Sequence, residues 1–156
     1  FQHLSDQEVR DIDAWLRALS AVENPELPEG KWSDALAKAT ADGTHPWLPD
    51  MVPDHGNSPL PAPPVEQLAL GKHLAMTTFT ECHGWDLNDW PDDPAPSMIV
   101  AKAYTAEQFT RLMRTGEIAT GGKSKTGLMS GVAVYRFSSS LTDEEITALK
   151  QYLDSR

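Results

Sequence analysis

"GKHLAMTTFTECHG", residues 71–84, ends an apolar helical run on the chain's only cysteine, Cys82, with His83 directly behind it. A thiol and an imidazole are thereby offered to one spot at a helix end. The surroundings give the pair meaning. Gly71 stands eight positions before Phe79, Met129 follows His83 by 46 positions in a glycine-rich loop, and Tyr152 lies on the apolar edge of the last helix. A glycine inside a helix costs about 1 kcal/mol relative to alanine, so Gly71 implies a packing purpose.

Outward from this stretch, "PPVEQLALGKHLAMTTF" (63–79) reads as one helix, entered through Pro64. "GWDLNDWPDDPAPSM" (84–98) after it is loop. "YTAEQFTRLMRTG" (104–116) predicts a helix with Thr105 and Gln108 as a capping box and Gly116 as its stop. "EIATGGKSKTGLMSGVAVY" (117–135) is largely irregular, and "LTDEEITALKQYLDSR" (141–156) closes the chain as a helix capped by Thr142 and Glu145. At the other end, "LSDQEVRDIDAWLRALS" (4–20) carries Ser5 and Glu8 as a capping box, then Val9, Ile12, Leu16 and Leu19 at helical spacing beside Trp15. A helix so amphipathic should bury that face against the rest of the chain or another subunit. Strand signals are weak throughout. The expected fold is all-α with long loops, divided into an N-terminal helix (1–22), a proline-rich linker (23–64) with room for a short helix in "KWSDALAKAT", and a helical domain (65–156).

Composition narrows the function. The net charge of −10 is spread unevenly: residues 1–64 hold eleven acids and four bases, residues 65–156 twelve and nine. Nucleic-acid binding needs a basic footprint and is excluded. No stretch approaches the roughly 18 apolar residues of a membrane span. One cysteine allows no internal disulfide framework. The chain opens at Phe1 inside an amphipathic pattern with no signal peptide, which reads as a processed product or part of a longer chain. An internal echo supports the second reading. Leu4 through Leu16 match Leu141 through Leu153 at a constant offset of 137, with Trp15 opposite Tyr152, as if residues 1–20 ended a preceding copy of the same domain. Capped amphipathic helices also resemble one another without common origin.

The spaced residues together resemble the class I cytochrome c family. Its pattern runs G-x-x-x-(F/A)-x-x-x-C-x-x-C-H, then a Pro-x-Leu loop, a haem-ligating methionine and a closing helix with an aromatic residue. "GKHLAMTTFTECHG" fits that spacing except at Phe79, which stands where the first cysteine belongs. "APSMIV" looks like the Pro-x-Leu loop, with Pro96 and Met98. The resemblance covers residues 65–156. It implies one haem c per chain, held by a single thioether to Cys82, with His83 and Met129 as iron ligands. By the same resemblance the Pro96 carbonyl accepts a hydrogen bond from His83, Phe79 packs where the second thioether would be, and Gly71 lets the first and last helices cross beside Tyr152. Met98, Met113 and Met51 are alternative sulfur ligands, with Met76 and Met113 read as core. His3, His45, His55 and His73 are read as solvated or hydrogen-bonded, His55 being the one to watch.

With both axial positions filled, the chemistry left is one-electron transfer, by a carrier or a subunit of a respiratory or dehydrogenase complex and not by an enzyme in its own right. Redox protein partners and a bacterial periplasmic location follow from the resemblance. Two other readings stay open: a haem-free docking or structural subunit, and a haem-based gas sensor in which Met129 dissociates. Charge in this half is polarised. Glu81, Asp86, Asp89, Asp92 and Asp93 lie on the Cys-His side, and Arg111, Arg114, Lys123, Lys125 and Arg136 on the Met side, where a basic ring could steer an acidic partner.

Overall fold

The computed structural model describes residues 3–22, 30–44, 62–90 and 95–156. The described residues are helices, turns and loops, with no strand among them. The chain divides into two compact units, Gln2–Leu60 and Pro61–Arg156. Most of the expected linker, with Met51, His45 and His55, lies outside the described residues, as do Asp92 and Asp93.

In the first unit, α1 (Asp6–Ala18) begins where its capping box predicts: Ser5 Oγ accepts from the Glu8 amide, and Glu8 answers at the Ser5 amide at 2.7 Å. Its apolar face is not buried. Val9, Ile12, Trp15, Leu16 and Leu19 are 43–63% exposed. The other helix among the described residues of this unit, α2 (Asp34–Ala41), has eight residues and likewise buries none of them.

The second unit is built on α3 (Gln67–Thr78) crossing α7 (Asp143–Ser155). At the crossing a Cβ on Gly71 would stand 2.0 Å from the Ala148 carbonyl oxygen and 2.9 Å from Tyr152 Cβ. Only glycine permits that approach. α3 starts later than expected: Glu66 is its N-cap, so Pro64 lies outside the first turn. After α4 (Thr80–His83) and a loop, a 3₁₀ helix (Met98–Ala103) buries Met98 and Ala101. α5 (Ala106–Thr115) follows with the expected Thr105–Gln108 box and ends at Gly116 in the left-handed conformation.

Residues 117–135 are less irregular than the sequence suggests. α6 (Leu128–Val132) runs directly into a π-helix, Ala133–Phe137. Burial of Ala133 and Phe137, which depends on residues distant in sequence, and a reciprocal pair of bonds between Ser124 and Ser130 hold this segment. The core gathers Phe79, Leu87, Met98, Phe109, Met113, Phe137, Ile146, Leu149 and Leu153, with Met76, Met129 and Tyr152 packed at its margin. Each large side chain buried there contributes about 1.5–3 kcal/mol.

Candidate functional site

Cys82 and His83 occupy the last turn of α4, a four-residue helix set off from α3 by Phe79. The amides of Cys82 and His83 both donate to the Phe79 carbonyl. Gly84 then reverses the chain at φ +88°, with the Asp89 carbonyl so close that a Cβ would meet it at 2.2 Å. The turn that follows is tight enough to force two side-chain-bearing residues, Leu87 (φ +65°) and Asp89 (φ +87°), into the left-handed region. That conformation costs roughly 1 kcal/mol or more each. Leu87 is fully buried and anchors the turn. The Asp89 amide donates to the His83 carbonyl at 2.7 Å, and the Met98 amide to the Leu87 carbonyl at 2.8 Å. One loop thus holds both His83 and the strand of chain that carries Pro96.

The result is a fixed imidazole. His83 is 6% exposed, and its Nδ1 lies 2.6 Å from the Pro96 carbonyl oxygen. A carbonyl can only accept, so Nδ1 is the donor, and in the neutral imidazole the lone pair is then on Nε2. Nε2 makes no hydrogen bond with any described residue. The Phe79 ring packs 5.1 Å from Phe137 and 6.3 Å from the His83 ring. The Cys82 thiol is half-buried and in no disulfide. Beside the site, Trp90 Nε1 donates to the Glu81 carbonyl, and Trp85 meets Trp90 edge to face at 5.5 Å. Asp86 accepts from the side chain and backbone of Asn88, which holds its carboxyl below the ordinary value.

Met129 lies in the first turn of α6, half-buried against the core cluster that includes Phe79 and Phe137. The loop in front of it is held by main-chain bonds, from the Gly127 amide to the Ser124 carbonyl and from the Gly131 amide to the Gly127 carbonyl, and by side chains. Ser124 and Ser130 exchange bonds at 2.8 and 3.3 Å, closing the loop in front of α6. Arg114 reaches from α5 to the carbonyls of Ser138 and Leu141, both at 2.7 Å, and to Asp143 at 2.6 Å. It therefore ties the end of the π-helix to the start of α7. An open groove of about 620 Å³ runs beside Leu128, Val132 and Tyr135, and its lining includes neither His83 nor Cys82. Met113 and Met98 are core residues at 1% and 4% exposure.

The expected basic ring is largely spent on other contacts. Arg114 serves main-chain carbonyls, Arg111 lies 3.3 Å from Glu117, and Arg136 lies 3.4 Å from Glu81 on the Cys-His side. The Arg111 Nε makes no well-aligned hydrogen bond despite that proximity. Lys123 and Lys125 are exposed, as is Arg136 despite its contact with Glu81.

A family model described as Cytochrome c matches residues 68–156, the stretch that holds Gly71, the Cys82–His83 pair, Met129 and α7. The chain belongs to the cytochrome c family. No curated protein and no solved structure matches it. As a cytochrome c the domain performs haem-based electron transfer, and membership implies a covalently attached haem c. The residues present fit that group: a half-buried thiol, then an imidazole with one nitrogen committed to a carbonyl and the other left as a donor to metal. No described helix is long and apolar enough to cross a membrane. Sequence reasoning missed Arg114, Phe137 and Leu87 as supports of this centre. For Leu87, a residue between Gly84 and two aspartates in a short loop, the signal was there to be read; for the other two it was not.

Proposed function

We propose that the protein is a one-electron carrier whose haem is joined through Cys82 alone, with His83 and Met129 as axial ligands. The observation that carries this reading is the His83 imidazole, buried, with Nδ1 held by Pro96 and Nε2 uncommitted. When bound, the haem supplies a reversible one-electron couple. The Pro96 carbonyl fixes the tautomer and orientation of His83 and raises its basicity. Met129 offers a soft thioether, which favours the reduced state. Phe79 presents a ring and no thiol, so Cys82 is the only covalent link this chain can make. A second filled axial position leaves no open site for a substrate, which favours transfer over catalysis. Lys123 and Lys125 near Met129 fit an acidic redox partner, and a periplasmic place within a larger redox complex accords with the family.

The test is intact mass before and after acid–acetone extraction, with a spectrum of the reduced protein under carbon monoxide. One haem that resists extraction and an unchanged spectrum are expected. Haem released into the solvent would refute the thioether, and no haem in any preparation would favour a structural subunit. Rapid carbon monoxide binding by the unmodified protein would make it a gas sensor.

A further inference from the structure

α1 and α7 are built alike and treated oppositely. Each has 13 residues, Asp6–Ala18 and Asp143–Ser155, at the constant offset of 137. Each opens with a complete capping box: the Ser5 and Thr142 amides both receive the carboxylate three residues on at 2.7 Å. Each carries an i,i+4 ion pair at the same two positions with the charges exchanged, Asp13–Arg17 at 2.8 Å and Lys150–Asp154 at 2.5 Å. The apolar positions coincide as well. Ile146, Leu149 and Leu153 are at most 1% exposed, whereas their counterparts Val9, Ile12 and Leu16 are 43–54% exposed. A generic amphipathic helix would share the stripe, and α5 shows that the cap recurs too. The shared length and the shared site of the ion pair, at one constant offset, set α1 and α7 apart.

We propose that α1 is the closing helix of a second cytochrome c-type unit, and that its exposed face is the docking surface for that unit's own α3-like helix. The chemistry of this occupant can be stated. In the 62–156 unit the helix covering α7 is aliphatic, has glycine at the crossing, and contains Lys72 and His73 but no acid between 67 and 78. α1 carries four acids against two arginines, so a helix of that charge complements it. Asp11 takes the place of Ala148, which is fully buried at the crossing. The helix covering α1 therefore meets a carboxylate there and must supply a cation or hydrogen-bond donor. With two such units in series the protein would pass electrons from one to the other; that consequence rests on the function proposed above, while the assignment of α1 does not.

The experiment places a second copy of residues 62–140 ahead of the chain, joined to Leu4 so that α1 follows in the register of α7. The added copy lacks a closing helix, and α1 should supply it. Trp15 reports, read as the difference from a Trp15→Phe version, together with the trypsin resistance of the added copy. A several-fold loss of acrylamide quenching at Trp15 and protection of the added copy are expected, strengthened by Asp11→Ala, and a second haem should be retained. An accessible Trp15 and a digested copy, with Asp11 or with Asp11→Ala, would overturn the proposal. So would protection that survives Ile12→Asp with Leu16→Asp, because the cover would then not lie on α1. If the unmodified chain sediments as a dimer that Ile12→Asp dissociates, the occupant is a second copy and the proposal fails. Quenching and digestion are read whether or not haem is bound, so failure of the haem reading is seen separately.

Discussion

Around His83 the side chain itself is held, by the Pro96 carbonyl, whereas around Met129 the hydrogen bonds hold the loop in front of its helix and not the side chain. The His83 ring is held by the Pro96 carbonyl, and its backbone by the Asp89 amide, in a loop kept tight by two left-handed residues and by Leu87. Beside Met129, two serine hydroxyls and the Gly127 and Gly131 amides close the loop and start α6, while one guanidinium, that of Arg114, ties the end of the following π-helix to α7. Main-chain bonds survive most substitutions, because the groups that make them are present in nearly every residue. Side-chain bonds are lost with one codon. The two proposed ligands should therefore respond differently to mutation, the first nearly all-or-none and the second by degrees.

The largest effect is expected from His83→Ala, which removes the nitrogen donor and leaves the Pro96 carbonyl without its partner. Near-complete loss of the native haem spectrum should follow. A native spectrum in this variant would break the comparison outright, since another residue would then be the proximal ligand. Arg114→Met should come next. It strips bonds from three carbonyls and Asp143 while keeping the apolar stem, at a cost of about 2 kcal/mol by urea unfolding. The ligand on the His83 side should be undisturbed, so haem should stay attached while carbon monoxide binding to the reduced protein rises.

Met129→Ala should cost less stability, about 1 kcal/mol for a half-buried side chain. It should keep the haem attached, admit carbon monoxide and lower the reduction potential. If the methionine-type spectrum persists, Met98 or Met113 is the ligand instead. The smallest effect concerns acid. The Asp86 carboxyl is held below its ordinary value by Asn88, so the unfolded chain binds that proton first as pH falls. Its contribution is present above the ordinary carboxylate range, near pH 4, and fades as pH drops through its folded value. Asp86→Asn should slightly flatten the acid limb of the melting curve and leave the neutral melting temperature nearly unchanged. A change as large at neutral pH as in acid would mean that Asp86 acts through shape and not charge.

Much of the fold was legible because helix starts are local. The boxes at Ser5–Glu8, Thr105–Gln108 and Thr142–Glu145 all lie within four residues and all form as written. Gly71 could be read as a close approach from its helical setting alone. The contact between Phe79 and Phe137 could not, because 58 residues separate them and neither sequence neighbourhood names the other. Arg114 looked like a solvated cation because nothing beside it in sequence shows that three main-chain carbonyls converge on it. The face of α1 was legible as apolar but not as exposed, since exposure depends on what the rest of its unit can offer.

The π-helix at Ala133–Phe137 bears on how this chain is to be compared with its kin. A π turn holds one residue more than an α turn, so it behaves like a single inserted residue absorbed without breaking the helix. Counting positions from Met129 to the closing helix is then an unreliable ruler, because a relative lacking the insertion would be one residue shorter with the same geometry at both ends. Loss of one residue from the turn ahead of Phe137 would restore α winding with both ends in place. The Phe137 ring would stay against Phe79, so the aromatic wall beside the lone cysteine tolerates the deletion of one codon there, whereas the same deletion in a plain α-helix would swing every later side chain by about 100° around the axis.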